Sequence, residues 1–342
     1  MPSVSNIIAR IGQAGGWGFG GAAIGNLYRP VSEADAFETI RAAFDAGVRY
    51  FDTAPHYGFG LSEKRLGAAL ASIDPQQTAI ISTKVGRRLA PTPGADLTQP
   101  RQGFVSPEPF ESEFDYSYDA VMRSYEDSLD KLRRERIDIV YVHDLGIRTH
   151  GEAHAQRFAE FMNGGYRALR ELRDSGAVGA IGLGVNEWQI CEEALAHGDY
   201  DVMLLAGRYT LLEQSALETF LPLCARRGVS VVIGGPYNSG ILARGVKDHA
   251  EPVYDYQPAP PHIVARVAAI EAVCEKHEVT LPAAALQFPL AHPQVIAVIP
   301  GMNSPAEVSR AIEYLNAPIP AAFWSELRDR KLIRPDAPLP RK

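Results

Sequence analysis

Apolar, β-branched runs alternate along this chain with stretches in which apolar residues recur every third or fourth position. Eight runs predict strands, at 17–20, 48–51, 79–83, 137–142, 179–184, 202–205, 229–233 and 295–299. Helical spacing fills most of the gaps, at 34–46, 63–72, 118–134, 166–175, 188–196, 214–227 and 306–315. A strand followed by a helix, repeated around a ring, predicts an α/β fold. The expected form is one (β/α)8 TIM barrel domain spanning residues 1–342, with long loops over its C-terminal face.

Two segments break the rhythm. Residues 87–117 hold five prolines and no clear periodicity. Residues 237–261 include Tyr254, Tyr256, Pro258, Pro260 and Pro261. Loops of this length in a compact domain usually serve binding. The second follows the seventh strand, so it is expected over the barrel mouth. No linker divides the chain, and no repeat shows beyond the strand-helix unit itself.

Composition narrows the partners. The 342 residues suffice for a barrel with insertions, and 46% apolar with 22% charged is an ordinary globular balance. A net charge of −7 argues against a broad surface for nucleic acid. The basic cluster at 131–136 closes a predicted helix, where cations favour the dipole. Cys191, Cys224 and Cys274 stand isolated, which predicts no disulfide framework and a reducing cytoplasm. The first twelve residues lack a signal-peptide pattern, and no apolar run approaches a membrane span. A small-molecule partner is expected, without nucleic acid or membrane.

The chemistry concentrates at strand ends. Asp52 closes the second strand, His56 and Tyr57 lie on the loop after it, and Ser62 is expected to cap the helix beginning at 63. Lys84 ends the third strand and His143 the fourth. Taken singly, each has a plain structural use: a loop cap, a rim cation, a packed ring. A barrel, however, brings neighbouring strand ends to one face, so all four converge. Their types suit proton transfer to a carbonyl or alcohol oxygen. A free tyrosine has a pKa of about 10. The Lys84 ammonium is expected to lower it, with Asp52 holding that ammonium in place and His143 orienting the substrate oxygen. A competing reading gathers His143, Asp144, His150, Glu152 and His154 into a metal-dependent hydrolase or lyase site, although their spacing matches no tight ligand motif. The glycine string at 16–21 fits GxGxxG, but no strong strand precedes it and no convincing helix follows, so the dinucleotide-fold reading fails on context.

The set Asp52, Tyr57, Lys84 and His143 resembles the tetrad of the aldo-keto reductases, and the resemblance runs from Gly18 to Pro305. The strings DTAPHYGFGLSEKRLG, FDYSYDAVMRSYEDSL, GLGVNEW, LAGRYTLLEQ and GGPYNSGIL are similar to one dehydrogenase branch of that family. This branch holds D-threo-aldose (L-fucose) and pyridoxal 4-dehydrogenases, with L-galactose dehydrogenases further off. The resemblance implies Tyr57 as acid/base and a nicotinamide cofactor, NAD with NADP possible, across the barrel mouth. It assigns Gly20, Gly21, Asn186, Tyr237, Asn238, Ser239, Gly301, Asn303, Ser304 and Glu307 to that cofactor. Gly301, Met302 and Glu307 stand where NADP-dependent members carry Lys or Ser and an Arg; this favours NAD, with Arg310 nearby acting against it. Gly234 and Ala206 stand where relatives place a stacking Tyr and a carboxamide-binding Gln. The implied reaction is oxidation of an aldose at C1 to the lactone, with pyridoxal as the alternative substrate. Trp17, Tyr28, His56 and Trp188 are expected in the pocket wall, since flat rings suit sugar faces.

Overall fold

The structure, a computed structural model, describes residues 4–247 and 251–340. Eight parallel strands pair in chain order: β1 (Phe19–Gly20), β2 (Tyr50–Asp52), β3 (Ile80–Val85), β4 (Ile137–His143), β5 (Val178–Val185), β6 (Val202–Ala206), β7 (Ser230–Gly234) and β8 (Val295–Ile299). The ring closes where Gly18 N–H donates to Val298 O at 2.9 Å and Gly20 N–H to Pro300 O at 2.9 Å. The expected α/β barrel therefore forms. β1 is shorter than its sequence pattern, and β2 begins at Tyr50 rather than 48.

Strand alternation splits the interior into two cores. Tyr50, Ile80, Ile139, Tyr141, Val202, Val232 and Ile299 form the inner one. Phe51, Ile81, Val140, Ile181, Met203 and Ile233 belong to the outer one, between strands and helices. Helix Val4–Gln13 joins the inner core through Ile7 and Ile11, both fully buried. Gly179 admits this helix, because a Cβ there would lie 2.3 Å from Ile7 Cδ1. Hydrocarbon thus fills the lower barrel and the polar strand ends occupy the other end.

The helix pattern holds with one break. The stretch expected as a helix at 214–227 splits into a 3₁₀ turn, Ser215–Leu217, and helix Phe220–Arg227. Pro222 explains it, since proline fits a first helical turn but not an interior. Among the described residues, seven helices lay outside the expected set: Val4–Gln13, Ile147–His150, His154–Glu160, Ile241–Arg244, Pro261–Lys276, Leu281–Gln287 and Ala321–Asp329.

Both long segments carry structure. Within 87–117, strands Arg87–Pro91 and Phe110–Phe114 pair as an antiparallel hairpin. The stretch between them straps over the β1 and β2 loops: Tyr28 N–H donates to Gly103 O at 2.9 Å, and Glu108 N–H to Gly58 O at 3.1 Å. Within 237–261, helix Ile241–Arg244 leads to a small hairpin of Val253–Tyr254 and Gln257–Pro258; residues 248–250 lie outside the described set.

Candidate active site

The inward positions of β2, β3 and β4 end in Asp52, Lys84 and His143. Lys84 Nζ donates to Asp52 Oδ2 at 2.7 Å and to Thr53 O at 2.9 Å. Ser82 Oγ donates to Asp52 Oδ1 at 2.7 Å. Below it, the Tyr50 hydroxyl lies 3.0 Å from Ser82 Oγ and 3.1 Å from the Tyr141 hydroxyl. This buried network fixes the carboxylate from beneath. Gly184 leaves room for the lysine stem, as a Cβ there would sit 3.2 Å from Lys84 Cε.

A tight turn delivers Tyr57. Gly58, Phe59 and Gly60 take φ values of 65°, 55° and 99°, all left-handed. Glycine is required at 58, where a Cβ would lie 2.5 Å from Gly25 O. The helix after the turn starts at Leu61 with Gly60 as N-cap, which corrects the role expected for Ser62. Ser62 Oγ instead donates to Gly21 O at 2.8 Å and lies 2.8 Å from Thr53 Oγ1, fastening the β1 and β2 loops together.

The Lys84 ammonium sits 4.8 Å from the centroid of the Tyr57 ring. Burial works against the charged lysine, but Asp52 and Tyr57 outweigh it and hold Lys84 above its ordinary range. The phenol moves opposite to expectation. Burial pushes the Tyr57 pKa up; Lys84 opposes this, and the carboxylates of Asp52 and Asp144 add to the rise. His143 is held well below the usual imidazole range by burial and by the cations Lys84 and Arg87. His56 is pushed down to about 2, mainly by burial. Both imidazoles are therefore neutral, and the Nδ1 atom of each is buried without a partner.

Above this floor opens a cavity of about 430 Å³. Tyr57, Lys84 and His143 face it, with His56, Tyr28 and Phe104 on its wall. The His56 ring meets Phe104 edge-on at 5.1 Å, and His143 meets Tyr57 edge-on at 6.0 Å. Arg87, Gln102, Asp144 and Tyr256 also line it, and no motif pointed to them as pocket residues. Arg87 and Asp144 lie at the ends of β3 and β4, and that position was the available signal.

The remaining expected residues divide. Trp17 and Trp188 do not reach the cavity: Trp17 is buried in the outer core, and Trp188 packs against that core while its Nε1 donates to Ser215 Oγ at 3.2 Å. Asn186 lines the cavity, with Nδ2 donating to Asp144 Oδ1 at 3.4 Å. Gly20 and Gly21 allow close backbone packing, since a Cβ would lie 3.0 Å from Ile299 O and 2.7 Å from Asp52 O respectively. Asn238 spends its amide inside the protein, donating to Gly207 O at 2.9 Å and accepting from Thr210 Oγ1 at 2.6 Å. Its side chain is a strut between the β6 and β7 loops. Ser239 Oγ accepts Tyr256 N–H at 3.1 Å, and Tyr237 is half-buried against the core. Gly301 bridges Gly20 at the mouth. Ser304 caps helix Pro305–Asn316, and Glu307 in its first turn accepts Asn303 N–H at 2.8 Å. Arg29, from the β1 loop, bonds Asn303 and pairs with Glu307 at 3.1 Å.

The metal reading loses its ligands. His150 Nε2 lies 2.9 Å from the Tyr116 hydroxyl, and His154 pairs with Glu193 at 2.9 Å. No group of three or more His, Cys, Asp or Glu converges as a metal site among the described residues. Cys191, Cys224 and Cys274 are all free and buried. No described helix is long and apolar enough to cross a membrane.

Comparison with known proteins agrees with this geometry. Residues 17–330 match the model of the aldo/keto reductase family. The chain is 44% identical over 326 residues to pyridoxal 4-dehydrogenase of Microbacterium luteolum, covering 92% of this chain and 94% of that one. It is 39% identical over 321 residues to D-threo-aldose 1-dehydrogenase of Pseudomonas sp, again 92% and 94%. Among solved structures, the glycerol dehydrogenase of Gluconobacter oxydans superposes with a TM-score of 0.71 at 22% identity, covering 95% of this chain and 93% of that one. An aldo-keto reductase from Bacillus halodurans in its holo form gives 0.69 at 23% identity, with 93% and 92% covered. At these identities the two structures speak to the fold alone.

Proposed function

The chain belongs to the aldo/keto reductase family and is an NAD(P)-dependent oxidoreductase, and from that premise we propose that it oxidises the ring carbon of a cyclic hemiacetal to a lactone. The observation that carries this reading is the convergence of Tyr57, Lys84 and His143 beneath one cavity, with Asp52 fixed behind Lys84. An aldose in its ring form presents such a carbon at C1. Pyridoxal does too, once its hydroxymethyl group closes on the aldehyde; the 44% identity to a pyridoxal 4-dehydrogenase favours this second substrate.

The residues fit a nicotinamide cofactor laid across the mouth. Asn186 and the small Ala206 line the cavity beyond β5 and at the end of β6, and Gly301, where a Cβ would meet nothing nearer than 3.8 Å, adds no side chain at the mouth beside Gly20. Bound nicotinamide supplies the acceptor for the hydrogen and electron pair that leave the lactol carbon. Tyr57, as phenolate, takes the hydroxyl proton from the same centre. Lys84 stabilises that phenolate by charge, and neutral His143 orients the substrate oxygen. We further infer a preference for NAD. Glu307 sets a carboxylate in the first turn of helix Pro305–Asn316, where it can accept from ribose hydroxyls, and the nearby cation Arg29 is already engaged by Asn303 and Glu307. The three free cysteines support a cytoplasmic location for a protein built as one barrel domain.

The test is absorbance of reduced cofactor with L-fucose and with pyridoxal. The expected result is turnover of at least one, with NAD giving the higher kcat/KM. Absence of turnover with both sugar and pyridoxal would refute the substrate reading.

A further inference from the structure

A second ion pair stands on the cavity wall beside Asp52 and Lys84. Arg87 Nη1 donates to Asp144 Oδ2 at 2.8 Å, with the two side chains only 12% and 11% exposed. Each guanidinium nitrogen has an acceptor: Nε donates to Ser112 Oγ at 3.2 Å and Nη2 to Gln102 Oε1 at 2.8 Å. Phe114 lies under the group, 4.7 Å from ring centroid to Cζ. Asp144 itself takes a left-handed φ of 51°, a strained state for a residue other than glycine, and its Oδ2 lies 3.6 Å from His143 Nε2. The proton transfer described above needs none of this. Among the described residues lining the cavity, the two cations are matched one to one by carboxylates, Lys84 by Asp52 and Arg87 by Asp144.

We propose that the Arg87/Asp144 pair selects neutral, hydroxyl-bearing cyclic hemiacetals and rejects their phosphate esters. This rests on the hemiacetal reading and names the substrate class it leaves open. A sugar or pyridine hydroxyl can donate to the Asp144 carboxylate and accept from an Arg87 N–H not already committed. A phosphate dianion would have to shed its water beside a carboxylate, with no unpaired cation to receive it. His56 and His143 offer no positive charge either, being neutral in this setting.

The experiment is calorimetric titration of the NAD-loaded protein with two matched pairs: pyridoxine against pyridoxine 5′-phosphate, and D-galactose against D-galactose 6-phosphate, whose ring stays a pyranose. Pyridoxine has no aldehyde, so it cannot condense with Lys84. Each ester is expected to bind at least about tenfold more weakly than its parent, and Asp144→Asn, which leaves Arg87 unmatched, to shrink that ratio by about tenfold. An ester that matches its parent in the wild-type protein overturns the proposal, and that arm does not depend on the variant folding. A ratio unmoved in a folded Asp144→Asn protein overturns it as well. Turnover of L-fucose or pyridoxal is read separately: its absence refutes the hemiacetal reading, while the binding ratios still judge the charge filter.

Discussion

Tyr57 has conflicting neighbours. Lys84 draws its phenol toward the anion, yet burial and the carboxylates of Asp52 and Asp144 leave its pKa above the ordinary value. Oxidation consumes the phenolate, so a raised pKa makes the active form scarce near neutrality and more abundant as pH rises. The expected kcat profile climbs through the alkaline range; a flat profile from neutrality upward would contradict this. Ser82 acts one step behind. Replacing it by alanine strips Asp52 Oδ1 of its donor at 2.7 Å and should cost about 1–3 kcal/mol of stability, read by urea denaturation. The tetrad was legible because each member lies at or just past a strand end, a position that sequence periodicity reveals. The direction of the Tyr57 shift was not, because it depends on how much carboxylate and hydrocarbon the fold packs around one ring. Trp17 and Trp188 misled for a related reason: an aromatic residue near a strand end can turn outward into the helix layer as readily as inward.

Elements were legible where they alternate faces and opaque where they do not. Leu281–Gln287 is buried almost throughout, so it shows no polar face to set its period, although Pro282 near its start was a usable signal. Val4–Gln13 does carry helical spacing in Val4, Ile7, Ile8 and Ile11, but it stands ahead of the strand-helix rhythm that identifies the other helices. The small hairpin over the mouth turns on Asp255 and Tyr256, with φ of 54° and 64°. Such two-residue turns usually call for Asn-Gly, so nothing in the letters announced it. What holds the turn is charge: Arg208 Nη2 lies 2.7 Å from both Asp255 oxygens, and Arg148 lies 3.0 Å away. That clasp keeps Tyr256 on the cavity wall. Asp255→Ala should therefore release the hairpin and raise the substrate KM about tenfold with a smaller change in kcat. An unchanged KM would mean that the hairpin plays no part in holding substrate.

The whole molecule divides its work between the two ends of the barrel. Ile7 and Ile11 fill the N-terminal end, and β2, β3 and β4 deliver Asp52, Lys84 and His143 to the other. Arg29 ties the first loop to the last through Asn303 and Glu307, which braces the mouth at the seam where β1 meets β8. Across this ring, one transfer is central to the proposed chemistry, the hydroxyl proton to Tyr57. The most direct measurement is the initial rate of NADH formation by wild type and Tyr57→Phe with whichever hemiacetal is turned over, alongside the NAD affinity of each protein. The expected result is a fall of about 10²- to 10⁴-fold in kcat with NAD affinity unchanged. Wild-type rates in Tyr57→Phe would contradict it.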